Sequence, residues 1–289
     1  MTGITPLSIL RSVLIAPSVR EDFISKLPGR GADVVFLDCE DAVPANAKER
    51  GRELARRWVP WLVAEGATVV VRVNAVTGPW FDADIREGVA PEAAAVVVPK
   101  IETVEQLDHV AATLDRAGLD NVGVLVGIET ALGVLDARIL LSHPRVSAAY
   151  FGAEDLIADL GGVRTESNHE VAGARSAVAL AARVAEVPIV DQVVTDFRNE
   201  ARFTSEAQQA RNMGYAGKLC IHPGQVEPAN AAFTPGPEEA DRARRLLAAY
   251  AEAQDRGLAA IDFEGQMVDE PLAVQARRLL ERVQGVAHP

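Results

Sequence analysis

Two carboxylates stand 26 residues apart in the chain, Glu129 in Gly127-Ile-Glu-Thr130 and Asp155 in Phe151-Gly-Ala-Glu-Asp-Leu156. Each follows a short apolar run, Val122-Gly-Val-Leu-Val126 and Val146-Ser-Ala-Ala-Tyr150. Runs of this kind read as buried parallel strands. The two acids then fall on loops at the carboxyl ends of neighbouring strands, where α/β folds place their chemistry. Two carboxylates converging there, flanked by glycine, suit a hard divalent cation such as Mg²⁺. The plain alternative for either acid taken singly is a helix N-cap or a solvated loop position.

Other polar residues gather at the same end. The second apolar run closes on Asp38, Glu40 and Asp41, the third carries Arg72 and Asn74, the fourth ends in Pro99-Lys100, and the eighth reaches His222. Strand alternation puts Val70, Arg72 and Asn74 on one side and Val71 and Val73 on the other. A guanidinium inside an apolar strand is costly unless it is paired or meets a ligand. A structural ion pair with Asp38 or Glu40 is one outcome, and it is compatible with a ligand role. A metal on two carboxylates beside an arginine can grip a 2-oxo acid or stabilise an enolate. Backbone N–H groups from Gly152 through Ala153 and Glu154 to Asp155 are placed to hold a carboxylate. Lys100 can form a Schiff base in principle, but acids on neighbouring strand ends favour a charged electrostatic partner. His222 reads as a capping or hydrogen-bonding histidine. No Ser-His-Asp order, no HExxH and no activated cysteine is visible.

The elements that must position these residues follow a strand-then-helix rhythm. Strands are expected at residues 12–16, 32–37, 68–73, 94–98, 122–126, 146–150, 188–194 and 218–221. Helical patterns fall between them, among them 48–64, 81–89, 103–117, 169–185, 200–213 and 237–253. Eight units in about 255 residues match an α/β TIM (β/α)8 barrel in count and size. A doubly wound sheet is the competitor, but no GxGxxG turn follows the first strand. The expected organisation is a barrel over residues 1–255 and a C-terminal helical lid extension over 256–289. The tail adds no strand to the barrel. It covers the barrel mouth, in its own or a neighbouring subunit, or it packs as a plain outer helix.

Composition narrows the function classes. The chain has 289 residues, 48% of them hydrophobic, and a formal net charge of −12 from 29 basic and 41 acidic residues. That balance, with no basic stripe, argues against nucleic acid or an anionic membrane as partner. The two cysteines, Cys39 and Cys220, lie in separate apolar runs and read as buried reduced thiols. No apolar run approaches the roughly 18 residues of a membrane span, so a soluble cytoplasmic protein is expected.

Eight motifs occur in one order: Arg11-Ser-Val-Leu, Leu37-Asp-Cys-Glu-Asp-Ala-Val43, Val71-Arg-Val-Asn74, Pro99-Lys100, Gly127-Ile-Glu-Thr130, Phe151-Gly-Ala-Glu-Asp-Leu156, Cys220-Ile-His-Pro223 and Phe263-Glu-Gly-Gln-Met-Val-Asp269. Together they resemble the citrate lyase β-subunit-like branch of the HpcH/HpaI aldolase superfamily, over roughly residues 11 to 283. The resemblance implies a Mg²⁺-dependent TIM barrel that cleaves or forms a carbon–carbon bond in acyl-CoA thioesters. It makes Glu129 and Asp155 the metal ligands and Arg72 the carbonyl-binding arginine, with Asp38, Glu40 and Asp41 near the metal's waters. It gives Asp269, in the C-terminal lid, the acid/base role in a neighbouring subunit's site. Arg20 and Lys26 match positions that meet CoA phosphates. The expected assembly is a homo-oligomer, a trimer or hexamer, with the lid shared between subunits. Cys39 stands where leucine is commoner and Gly224 where serine is frequent; neither change removes a catalytic group.

The function so implied is a malyl-CoA- or citramalyl-CoA-type lyase giving an acyl-CoA and a 2-oxo acid. Three alternatives accompany it. One is a citrate lyase β component acting on an acyl-carrier-protein thioester, another an aldolase on free hydroxy-oxo acids, and the last a catalytically idle scaffold.

Overall fold

The computed structural model describes residue 7 and residues 9–287. Eight parallel strands close in sequence order: β1 (Ser12–Pro17), β2 (Val34–Asp38), β3 (Thr68–Arg72), β4 (Ala95–Val98), β5 (Gly123–Ile128), β6 (Val146–Phe151), β7 (Ile189–Asp191) and β8 (Gly217–Cys220), with β8 pairing back onto β1. The TIM-type barrel is therefore present. Between the strands run α1 (Glu21–Ile24), α2 (Lys48–Ala64), α3 (Phe81–Ala83), α4 (Val104–Arg116), α5 (Ala131–Leu141), α6 (Ala153–Leu160), α7 (His169–Ala185) and α8 (Glu200–Met213).

Alternation along the strands fills the interior. Val34 and Phe36, Val70, Ala95 and Val97, Leu125, Ala148 and Tyr150, Val190 and Leu219 form one buried cluster. The opposite faces of the same strands are also apolar and meet the helices, as expected for strands buried on both sides. Closure needs a glycine: a Cβ at Gly217 would lie 1.6 Å from the Leu10 carbonyl oxygen. Thr103 starts α4 as expected, accepting the Gln106 N–H while the Gln106 side chain returns the bond in a capping box.

The local differences from expectation have physical causes. The expected helix over 81–89 splits into α3 and a π-helical stretch, Asp84–Gly88, which brings Asp84 into the interior with 1% exposure. There its carboxylate accepts from the Asn74 N–H, from Asn74 Nδ2 and from Arg52 Nε. β7 is shorter than its apolar run. The acidic loop after β6, expected as irregular, opens the additional helix α6.

Two compact units make up the chain, Met1–Asn230 and Ala231–Pro289, whereas the expected division lay at 255/256. α9 (Val226–Phe233) carries the chain from one to the other. The second unit contains α10 (Pro237–Asp255), the antiparallel strands β9 (Ile261–Phe263) and β10 (Gln266–Val268), and α11 (Glu270–Ala287). The earlier division follows from the apolar face of α10. Ala243, Leu246 and Tyr250 pack with Val268, Ala273 and Ala276 of the same unit. The hairpin turns through Glu264 and Gly265, both with positive φ, and Arg242 and Arg245 tie Glu264 back to α10.

One ionic cluster in the first unit is wholly internal. Arg175 of α7 grips Asp191 at the end of β7 through two hydrogen bonds of 2.7 and 2.8 Å. Lys218 of β8, with no exposure, donates to Asp191 Oδ2 at 2.6 Å and to the Gln192 carbonyl at 2.9 Å. Removing the shared carboxylate leaves buried Arg175 without a carboxylate partner and Lys218 with only Glu206 Oε2 at 3.6 Å, which costs about 3–5 kcal/mol. Asp191→Ala is therefore expected to lower the unfolding free energy obtained from urea denaturation by that amount, with a corresponding fall in the midpoint. An unchanged midpoint would show the cluster to be dispensable.

Candidate active site

The carboxyl-terminal end of the barrel opens into a cavity of about 360 Å³, lined among others by Asp38, Arg72, Glu129, Tyr150, Asp155 and Ile221. Arg72 extends the inward face of β3 and forks onto Asp38, with Nε to Oδ1 and Nη2 to Oδ2 both at 2.7 Å. Asp38 also accepts the N–H groups of Glu40 and Ala42, at 2.8 and 3.1 Å. Burial alone pushes its carboxyl up, but the Arg72 charge and these donors outweigh burial and hold it below the usual range. Arg72 is raised well above its ordinary value, burial being overcome by Asp38 and Glu40.

Glu40 is the next link. Its Oε2 lies 3.0 Å from Arg72 Nη1 without hydrogen-bond geometry, and its Oε1 accepts from Lys100 Nζ at 3.0 Å. Burial is the main cause of its raised carboxyl. Lys100 also reaches Asp155 Oδ1 at 3.2 Å and Asp41 Oδ2 at 3.9 Å. Burial works against its charge, but Glu40, Glu129 and Asp155 raise it further. These carboxylates keep the amine protonated.

Glu129 is 1% exposed. Its Oε1 accepts the Lys100 backbone N–H at 3.0 Å and its Oε2 accepts the Tyr150 hydroxyl at 2.9 Å. Glycine makes room on both sides. A Cβ at Gly127 would sit 2.5 Å from the Tyr150 hydroxyl, and one at Gly152 would sit 2.3 Å from Glu129 Oε2. Burial, then the charge of Asp155, push the Glu129 carboxyl up to about 7 against the pull of Arg72 and Lys100.

Gly152, Ala153, Glu154 and Asp155 line the cavity where α6 begins. The exposed Glu154 carboxylate turns to Arg164 at 3.0 Å. First-turn N–H groups of a helix have no partner within it, so this end can meet an anion.

Two residues escaped the sequence reading. Tyr150 looks apolar at the end of its run; its inward alternation with Ala148 was the available signal. Lys48, 7% exposed, donates to the carbonyls of Cys39 and Glu40 at 3.0 and 2.7 Å and to Asn74 Oδ1 at 2.6 Å. It thereby fixes the turn that carries Asp38 and Glu40. A lysine at the start of a helix gives no such hint.

The other expected residues of the first unit do not line the cavity. Arg20 and Lys26 are exposed and outside the cavity lining. Arg20 pairs with Asp22 and lays its guanidinium 3.8 Å from the Phe23 ring centre. His222 stacks on Phe197, and its Nδ1 accepts the Gly224 N–H at 3.1 Å, the expected capping role. Asp269 belongs to the second unit, where its carbonyl receives the Ala273 N–H at the start of α11.

The donor set fits Mg²⁺. Among the described residues no three His, Cys, Asp or Glu side chains converge as a cage. Mg²⁺ is usually held by one or two carboxylates with several waters, and it needs no such cage. Glu129 and Asp155 would offer two hard oxygen ligands, and the charge of Asp155 that pushes the Glu129 carboxyl up is what a cation between them would offset.

The raised Glu129 carboxyl has a consequence for the metal-free protein. The folded state keeps this proton to higher pH than the unfolded chain does, so stability is lost as pH rises from the ordinary 4.5 to about 7. The loss totals roughly 3 kcal/mol. In EDTA, urea unfolding of Glu129→Gln should lack this part of the pH slope; parallel slopes for the two proteins would refute the assignment.

Residues 11–223 match the family model described as HpcH/HpaI aldolase/citrate lyase. A "Citrate lyase subunit beta-like protein" of Deinococcus radiodurans is 48% identical, covering 95% of this chain and 98% of its own. A "(3S)-malyl-CoA thioesterase" of Cereibacter sphaeroides is 33% identical, covering 96% and 95%. Among solved structures, CitE of Mycobacterium tuberculosis in complex with magnesium, acetoacetate and coenzyme A superposes with a TM-score of 0.80 at 30% identity, covering 97% and 98%. The motif order, the closed barrel and these likenesses agree: the chain belongs to the HpcH/HpaI aldolase/citrate lyase family.

Proposed function

We propose that this chain is a Mg²⁺-dependent carbon–carbon lyase that cleaves or forms 3-hydroxyacyl-CoA thioesters of the malyl-CoA or citramalyl-CoA type. The products of cleavage are an acyl-CoA and a 2-oxo acid. The carrying observation is one cavity faced by two carboxylates, Glu129 and Asp155, and by Arg72 held rigid on Asp38.

Glu129 and Asp155 would hold the metal, with Asp38, Glu40 and Asp41 beside its waters. When bound, Mg²⁺ supplies Lewis-acid polarisation and charge neutralisation for an oxo acid. The chain's own groups do the rest. N–H groups of residues 153–155 donate to the oxo acid's carboxylate, that of Gly152 being already given to the Ile128 carbonyl at 3.1 Å. Arg72 donates toward the thioester or hydroxyl oxygen where negative charge develops, and its fork to Asp38 removes the need to reorient during reaction. Lys100 balances Glu40 and Asp155 and stays charged. Asp269 moves the proton at the thioester α-carbon, taking it in condensation and returning it in cleavage. In this reading residues 256–289 act as a lid shared between subunits of a cytoplasmic homotrimer or hexamer, and Arg20 and Lys26 attract the CoA phosphates. No helix among the described residues is long and apolar enough to cross a membrane.

The relative bearing a thioesterase name supports a second outcome, hydrolysis of the thioester. Product analysis separates the two. Purified protein with Mg²⁺ and malyl-CoA should release acetyl-CoA and glyoxylate, and EDTA should stop it; malate with free CoA would mean hydrolysis. Turnover only on a carrier-protein thioester would make the chain a lyase component instead. Arg72→Lys should lower kcat by about 10²–10³. Asp269→Asn should lower kcat by about 10²–10⁴. Full turnover in either variant would remove that residue from the mechanism.

A further inference from the structure

Among the described buried side chains of the apolar cluster inside the barrel, Tyr150 alone carries a polar group, and it is 2% exposed. A hydroxyl buried there costs free energy unless it is bonded. Its one proton goes to Glu129 Oε2 at 2.9 Å. Packing does not call for the oxygen, since phenylalanine fills the same ring volume, as Phe36 does in the same cluster. The oxygen is accommodated at a cost to the sheet. Its partner in the β5–β6 register is Gly127, where a Cβ would come within 2.5 Å of it, and glycine inside a strand weakens the strand.

The carboxylate at 129 is thus held from two sides. Lys100, just beyond β4, donates its backbone N–H to Oε1 at 3.0 Å, and Tyr150 of β6 donates to Oε2. The terminal torsion of a glutamate is broad by nature. One donor from each neighbouring strand on its two oxygens fixes this one, and the Gly152 backbone closes against Oε2 with no room for a Cβ. Asp155 is held differently. Its side chain is 34% exposed, and the Lys100 ammonium, at the end of a flexible stem, meets Oδ1 at 3.2 Å. Of the two carboxylates facing the cavity, one is rigid and one adaptable.

Rigidity of this kind decides between cations. Mg²⁺ demands near-octahedral oxygens at about 2.0–2.1 Å, whereas Ca²⁺ takes about 6–8 oxygens at about 2.3–2.6 Å and readily draws both oxygens of one carboxylate. A Glu129 that cannot pivot suits the first and resists the second. We infer that Tyr150 is a positioning residue whose hydroxyl, by pinning Glu129, selects Mg²⁺ over Ca²⁺ at this site. The inference rests on the reading above that Glu129 and Asp155 hold the metal, and it adds what sets the choice of ion.

The test is calorimetric titration of the full chain, freed of metal with EDTA and dialysed, with MgCl₂ and with CaCl₂. The readout is the ratio of the two affinities. Both ions compete with the same proton on Glu129, so a change in its acidity cancels in that ratio. The wild type should prefer Mg²⁺. Tyr150→Phe, which keeps the ring, should lose about 10–100-fold in Mg²⁺ affinity, with Ca²⁺ affected less, so that the ratio falls about tenfold. Gly127→Ala keeps the hydroxyl but pushes it off Glu129; it should lower the ratio likewise, and it stands in should Tyr150→Phe misfold. A wild type that takes both ions equally overturns the selection. An unchanged ratio in the variants, with Mg²⁺ still bound, overturns the role of Tyr150 and leaves the metal reading standing. Glu129→Gln taking up Mg²⁺ as the wild type does overturns that reading, and this inference with it.

Discussion

A guanidinium and a carboxylate buried side by side at the barrel mouth govern the rest of the site. Desolvating Arg72 and Asp38 is expensive, and such a pair holds only when its remaining lone pairs and protons are satisfied. Asp38 meets that condition with donors on both oxygens, two from Arg72 and two from its own turn. Lys48 anchors the turn from behind. The free edge of Arg72 then faces Glu40, Glu40 faces Lys100, and Lys100 faces Asp155. Charges alternate around the rim, each within about 4 Å of an opposite one, where attraction at an effective dielectric near 20 is worth about 4 kcal/mol. No member can be lost without leaving its neighbours short of a partner.

Space at this rim is as constrained as charge. β5 and β6 pair with Gly127 opposite Tyr150. The missing side chain at 127 is what lets the phenol turn inward and reach Glu129. Gly152 does the same from the next strand end. The carboxylate at 129 thus occupies volume that two glycines leave open, with one donor on each oxygen. Burial and the charge of Asp155 favour the neutral acid there, and a cation held as proposed above would reverse that preference.

Much of this could be read from residues near one another in the chain. Apolar runs and helical periods are local, so the eight strand–helix units and the polar residues at their ends were visible before any fold was known. The unread parts depend on distance in space. The Tyr150 hydroxyl meets Glu129 only through the β5–β6 register. Lys48 reaches the 39–40 carbonyls only because α2 starts beneath them. The period of α10 marks an apolar face without saying what that face will meet, and it meets α11. The π-helical turn at 84–88 carries Asp84 inward to Asn74, ten residues before it, and to Arg52, 32 residues before it, a gathering that a local helical period does not announce.

Lys100 sits at φ +53°, a left-handed conformation that costs a residue with a Cβ about 1–2 kcal/mol. That twist aims its N–H at Glu129 while its ammonium reaches Glu40 and Asp155. Backbone and side chain of one residue therefore serve different carboxylates at once. Glycine would relax the backbone and forfeit the cation, and a β-branched residue would fail on both counts. The position is closed to gradual change: any drift there must move three acids together.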